Sequence, residues 1–380
     1  MKTPLSATTM TLAMLLRLSI IVVLLTGLTG CVGPPTSENQ VLQEVRQLTT
    51  GFGRAGEGYF SRDSNWIIFQ ATPPGERQYQ MYVARTIKEK DQIVGLTRPV
   101  RISPAGSSNT CGYFSPDGNT LIFSSDAGKA EAAATAQAPA QAPAQGFQRT
   151  TGTYQWNFEK GMEIYRVDGW QSAIAAADPA RGVNLARHKI TDNNAYDAEG
   201  TYSPNGKHIV FTSNRDGDLD IYVMRPDGSN VIRITDKPGY DGGPFFSPDG
   251  KYILYRSDRK GDKAMQLFVA QIIYDGAGNI TGVERETQLS NDGHLNWGPS
   301  FHPQTQAVIF ASSKLGHDNY EIFMQRFDGT RQCRITFTPG ADVLPVFSPD
   351  GKYLMWSSKR TADNTTQLFL AKFVYPRYLN

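Results

Sequence analysis

Apolar residues in this chain come in short bursts, each introduced by the same polar turn. Ile253-Leu-Tyr255 and Leu354-Met-Trp356 are apolar at consecutive positions, which predicts strands buried on both faces. Both follow the text Phe-Ser-Pro-Asp-Gly, at Phe246–Gly250 and Phe347–Gly351. Proline pre-sets φ at the second turn position and glycine takes the left-handed conformation after it, so this text predicts a tight hairpin. It recurs at Phe114–Gly118 and, altered, at Tyr202–Gly206, Phe301-His-Pro303 and Phe60-Ser-Arg-Asp63. A third strand carries its own aromatic residue: Tyr82, Tyr165, Tyr222, Phe268, Phe323 and Phe369. A fourth ends in an apolar residue followed by Ser or Thr: Ile102-Ser103, Ile190-Thr191, Ile234-Thr235, Leu289-Ser290 and Ile335-Thr336.

The count closes a ring. Six first, second and third strands are accompanied by only five fourth strands, and Val45-Arg-Gln-Leu-Thr49, ahead of the first unit, carries the missing text. An N-terminal strand that completes the last sheet removes the open edge. The predicted fold is therefore all-β, a six-bladed β-propeller of four-stranded antiparallel blades spanning 45–375. Two passages interrupt blade two. Residues 126–148 alternate Ala, Gln and Pro without an apolar period and predict a disordered loop. Trp170–Val183 reads as a second insertion, with decoration expected of both.

The front of the chain reads differently. Lys2 and Arg17 precede the apolar run Leu18–Leu25, too short to span a bilayer but of signal-peptide length. Leu28-Thr-Gly-Cys31 then looks like a lipobox. This predicts a signal peptide over 1–30, diacylglyceryl attachment (palmitate-bearing) at Cys31 and a tether over 31–44. Val32 in place of an aspartate directs the expectation to the periplasmic face of the outer membrane rather than the inner one. Lys plus Arg (38) nearly balances Asp plus Glu (36), which leaves no electrostatic footprint for nucleic acid. Cys111 and Cys333 fall in blades two and five, so buried thiols are expected rather than a disulfide.

These residues resemble the TolB-type propeller repeat, which reads F-S-P-D-G, then I-Y-x-M, then an L-T ending. The resemblance covers about 50 to 373. It implies partner binding in the cell envelope, with Pal-like or peptidoglycan-associated proteins as the models, by a chain expected to be monomeric. The α/β domain that precedes the propeller in TolB has no counterpart within about fifteen residues of Cys31.

Candidate chemistry lies on one face. Five residues before each anchor aromatic stand Ala55, Asn109, Asp197, Asp241, Asn296 and Asp342. Four residues after the second-strand aromatic stand Arg215, Arg259, Lys314 and Arg360. Two readings are open: pairs that fix loops blade by blade, or a polar rim around the channel mouth that receives a partner. Blade five adds His294, Trp297, His302 and His317. Their spacing matches no compact zinc pattern, so no metal and no cofactor are expected. Related propellers occur in prolyl oligopeptidases, but no G-x-S-x-G elbow is present here. The expectation is a non-catalytic scaffold. The alternative is a metal-dependent polysaccharide lyase of the oligogalacturonate type, or a carbohydrate-binding propeller, using Trp297, His294 and His317.

Overall fold

The computed structural model describes residues 33–128, 158, 161–262 and 264–380. The signal segment, Cys31 and most of the Ala/Gln/Pro insertion lie outside the described residues. Residues 34–380 form one unit of six antiparallel sheets. Blade one comprises β2 (Arg54–Phe60), β3 (Trp66–Thr72), β4 (Gln80–Glu89), β5 (Gln92–Leu96) and β6 (Val100–Arg101). Blade two comprises β7 (Asn109–Phe114), β8 (Thr120–Ser125), β9 (Glu163–Asp168) and β10 (His188–Lys189). Blade three holds β11 (Asp197–Tyr202), β12 (Ile209–Ser213), β13 (Asp220–Met224) and β14 (Ile232–Arg233). Blade four holds β15 (Asp241–Phe246), β16 (Tyr252–Ser257), β17 (Gln266–Tyr274) and β18 (Ile280–Gln288). Blade five holds β19 (Asn296–Phe301), β20 (Ala307–Ser312), β21 (Glu321–Arg326) and β22 (Gln332–Arg334). Blade six is β23 (Asp342–Phe347), β24 (Tyr353–Ser358) and β25 (Gln367–Phe373), completed by β1 (Leu42–Gln47) from the N-terminal end.

The closure is the predicted one. β1 pairs with β25, with Leu42 opposite Phe373 and Gln47 opposite Phe369. Every first strand ends on its anchor aromatic, so the repeat text locates the strand ends to the residue. In five of the six turns the serine hydroxyl bonds the Asp or Asn two residues on, as Ser247 does to Asp249 at 2.6 Å, and accepts the N–H that starts the next strand, that of Tyr252, at 2.9 Å; in blade five His302 stands in the serine's place. The glycine that ends the turn is left-handed, with φ of 73° at Gly250 and 69° at Gly351.

Blade one departs from the four-stranded expectation because β4 runs on into a hairpin with β5 while β6 pairs with it at Tyr82 and Val83. The second insertion is more than decoration. Its helix α1 (Trp170–Ala175) buries Trp170 to 1% exposure against Phe114 and Trp66, and the indole N–H donates to the Gly118 carbonyl at 3.1 Å.

The core lies between the blades. Ile309 and Ile322 of blade five meet Leu354 and Trp356 of blade six, for example. Sheet faces packed on both sides explain the consecutive apolar triplets: Ile253, Leu254 and Tyr255 are all 0% exposed. A hydroxyl latch ties each fourth strand to its third. Thr336 donates to Glu321 at 2.6 Å and accepts from the Ile322 N–H at 2.8 Å; in blade six Thr49 does the same with Gln367 and Leu368, both at 2.9 Å. The Ser/Thr ending of the repeat is therefore a bonding requirement. We call the end with the Ser-Pro-Asp-Gly turns the turn face and the opposite end the rim face.

Candidate functional site

The first strands start on the rim face, and the Asx residues named above begin them. Arg215 reaches Asp197 at 3.1 Å, Arg259 reaches Asp241 at 2.9 Å and Arg360 reaches Asp342 at 2.8 Å. The three carboxylates are 0–1% exposed, while the guanidinium groups keep 9–20%. Pairing is thus within each blade, as the first of the two readings has it, and what reaches solvent is the outer side of the cations. Lys314 instead pairs with Asp292 at 3.0 Å, because blade five has Asn296 where its neighbours have Asp. Asn109 bonds back to the Ser107 carbonyl at 2.9 Å, and Ala55 has no polar partner to offer.

A second ring escaped the sequence reading. Two residues before each third-strand aromatic stand Gln80, Glu163, Asp220, Gln266, Glu321 and Gln367, all at most 5% exposed. Each faces the first strand of the next blade, and the chemistry matches across the gap. Gln80 accepts from Asn109 and Gln266 from Asn296, both at 3.4 Å. Acid meets acid at Glu163 and Asp197 and at Glu321 and Asp342, while Asp220 and Asp241 share the Thr235 hydroxyl. Arg233 and Arg334 compensate two of these pairs, at 2.5 and 2.7 Å. The offset from the aromatic was visible in the repeat; the partner across the blade gap was not.

The axial channel carries the chemistry that sequence reasoning missed. Each first strand has a bulge three residues before its anchor aromatic, where the backbone turns left-handed: Glu57 (φ 48°), Cys111 (55°), Glu199 (59°), Gly243 (60°), Gly298 (55°) and Leu344 (54°). Four of the six are not glycine, a costly conformation that structures retain where a side chain must be aimed. Glu199 accepts from Thr212 at 2.8 Å and from the Gly243 N–H at 2.7 Å, and pairs with Arg256 at 2.5 Å. Arg256 also donates to the Tyr240 hydroxyl at 2.6 Å and lies 3.8 Å over the Trp297 ring. Its position explains Gly243, where a Cβ would stand 1.8 Å from a guanidinium nitrogen. Gly242 leaves room in the same way for Tyr240, whose hydroxyl oxygen would lie 2.1 Å from a Cβ.

Across the axis, among the described residues, the Glu57 carboxyl has the Tyr59 hydroxyl at 3.3 Å and the Cys111 thiol beside it, and it feels the charge of Arg256 without an ion pair to it. Burial pushes Glu57 up to about 7, with the negative charge of Glu199 adding to the effect. Burial also raises Glu199, but Arg256 and its other donors outweigh this and hold it below the usual carboxylate range. Two residues further along the strands Tyr59, Tyr113 and Phe245 meet with centroids 5.2–6.4 Å apart and floor the channel toward the turn face. Cys111 belongs to this channel, whereas Cys333 lies in the apolar core between blades five and six; both are buried free thiols.

The blade-five histidines separate. His302 is 4% exposed on the turn face among Phe347, Phe373 and Tyr375, and burial pushes it down to about 4. His294 and Trp297 are half-buried and His317 is exposed. Among the described residues no group of three His, Cys, Asp or Glu is placed to hold a metal ion.

The raised Glu57 carboxyl gives a pH prediction. Its proton is held more tightly in the folded chain (about 7) than in an ordinary carboxyl (4.5), so its contribution is complete below pH 4.5 and lost as the pH rises through 7. Glu57→Gln is expected to match the parent near pH 4 and exceed it by about 3 kcal/mol at pH 8. Thermal melts across that range check the sign.

A closed six-bladed ring with a polar channel floored by aromatic rings defines a β-propeller whose rim face is its chemically distinctive end. Residues 183–282 match the family model described as the TolB beta propeller domain, and over that stretch the chain is similar to it. The "putative TolB" of Agrobacterium tumefaciens shares 18% identity, with 84% of this chain and 91% of that one covered at a TM-score of 0.50. An oligogalacturonate lyase in complex with manganese shares 13%, with 89% and 95% covered at 0.51. At these identities both likenesses are likenesses of fold.

Proposed function

We propose that this propeller is a non-catalytic docking scaffold of the bacterial envelope. Diacylglyceryl at Cys31 tethers it to the periplasmic face of the outer membrane, and the rim face receives Pal-like or peptidoglycan-associated proteins. The observation that carries the reading is the rim itself. Its loops are held by buried ion pairs in blades three, four and six, so a partner that docks there freezes little further motion. His294, Trp297, Lys314 and the outer sides of Arg215, Arg259 and Arg360 are the contacts it offers, around the mouth of the channel.

Cross-linking in intact cells, followed by mapping of the linked peptides, tests this. Links are expected on rim-face loops and to an envelope protein, in equal yield with and without chelator. Links confined to the turn face, or chelator-sensitive turnover of a pectin-like polymer, would sink it. The anchor has its own check: labelled palmitate is expected in the parent chain and absent from Cys31→Ser.

A further inference from the structure

We propose that the channel mouth is a socket for one cationic side chain, a lysine or arginine carried on a loop of the docked partner, with Glu57 as its counter-charge. This rests on the rim-face docking reading and gives that partner a chemistry.

The charge arrangement around the axis carries the inference. Among the described residues two carboxylates, Glu57 and Glu199, enter the channel and one guanidinium, that of Arg256, accompanies them. Arg256 is committed to Glu199 and to the Tyr240 hydroxyl, and its flat face is stacked on Trp297. Glu199 is satisfied by that cation, by Thr212 and by the Gly243 N–H. Glu57, on the opposite side, has no ion-pair partner among the described residues. Its backbone is held left-handed, which aims the side chain at the axis instead of into the sheet.

The groups that face Glu57 come from every neighbouring wall. Tyr59 belongs to its own strand, Cys111 to β7, Glu199 to β11 and Arg256 to β16, and the Tyr79 hydroxyl senses its charge. None of these supplies a bonded cation. The floor of Tyr59, Tyr113 and Phe245 presents aromatic rings, which attract a cation and give an anion nothing. An anionic ligand would meet Glu57 and Glu199 and find Arg256 already engaged. An ammonium or guanidinium group on a flexible stem fits both the charge and the depth.

Entry of a cation favours the ionised form of Glu57. Near neutral pH the incoming ammonium keeps its protons, forms an ion pair with the carboxylate, and the displaced carboxyl proton passes to water. Binding is therefore tighter at pH 8 than at pH 6.

The probe is a blocked pentapeptide, Gly-Ser-Lys-Ser-Gly, compared with its norleucine counterpart and with free spermidine. It is titrated into the full chain while the Glu57 carboxyl is followed by carbon-detected NMR. The lysine peptide is expected to lower the Glu57 pKa by about one unit or more and to bind roughly tenfold tighter at pH 8 than at pH 6. Glu57→Gln is expected to abolish the effect; it folds at least as well as the parent at pH 8, so its loss of binding is not loss of structure. The exposed Glu284→Gln is expected to leave it intact.

No response up to about 100 mM peptide, an equal response to the norleucine peptide, or unchanged binding by Glu57→Gln would overturn the socket. Spermidine lowering the Glu57 pKa as strongly as the peptide does would overturn the side-chain source in favour of a free amine. Rim-face cross-links that persist in Glu57→Gln would sink the socket and leave the docking reading standing. Peptide binding with cross-links elsewhere would do the reverse.

Discussion

Removal of residues 34–49 is expected to lower the midpoint of thermal unfolding by on the order of 10 °C and to broaden the transition. The segment is a small part of the chain, but it holds the ring shut. β1 supplies the ladder partner of β25, and Val41 and Leu42, 1% and 2% exposed, fill the core between the last two blades. Two such side chains contribute roughly 1.5–3 kcal/mol each when buried. Thr49 adds the sixth hydroxyl latch, through Gln367 and the Leu368 N–H. Glu38 adds an ion pair to Arg360 at 2.6 Å and accepts the Phe337 N–H at 2.8 Å, which ties the tether to the rim of blade six. Without these groups β25 becomes an open edge, prone to pair with another copy, and the seam between blades one and six is left to face packing such as that of Phe69 with Met355 and Leu370. Calorimetry checks it, with Val45→Thr, at a position 38% exposed, as the control expected to stay within about 0.5 kcal/mol of the parent. A deletion that melts as high and as sharply as the parent would show that the two ends do not hold the ring.

Why the ring was legible and the channel was not follows from where each is written. Turns, anchor aromatics and latch residues do the same local job in every blade, so six copies reinforce one another and even Phe60-Ser-Arg-Asp63 can be aligned. The blade-six latch could be found at the far end of the chain because Leu48-Thr49 repeats the text of Ile335-Thr336. Channel residues obey the opposite logic. The position three residues before the anchor aromatic holds Glu57, Cys111, Glu199, Gly243, Gly298 and Leu344, so no one residue type runs through the blades there and an alignment of them treats it as noise. Arg256 comes from a second strand, opposite Gly242; the matching positions in other blades are Gln70, Ser124, Thr212, Ala311 and Ser357. Repetition specifies the frame, and the departures from it converge on the axis only after the ring has closed. The glycine pair Gly242-Gly243 was the available signal: it sits inside a strand, where glycine usually marks the close approach of another group.

Asp342→Ala is expected to cost about 3–5 kcal/mol, the range for breaking a buried ion pair by removing one partner. The carboxylate is 1% exposed and serves two groups at once. One oxygen takes Arg360 at 2.8 Å, and the other takes the indole N–H of Trp356 at 3.0 Å. Trp356 is 0% exposed, so its donor has no water to turn to, and Arg360 keeps only 9%. Asp342→Asn can still accept the indole bond but offers Arg360 no charge, and is expected to fall between alanine and the parent. The tether makes the effect non-additive. Glu38 holds the same guanidinium from the other side, so in Glu38→Ala the loss of Asp342 leaves Arg360 without any carboxylate. The double variant is therefore expected to lie below the sum of the single ones by about 1 kcal/mol or more. Denaturant titration of the four chains at pH 7 measures that coupling. A coupling near zero would mean that Glu38 and Asp342 do not share Arg360, and that the N-terminal tether is not fastened to the rim.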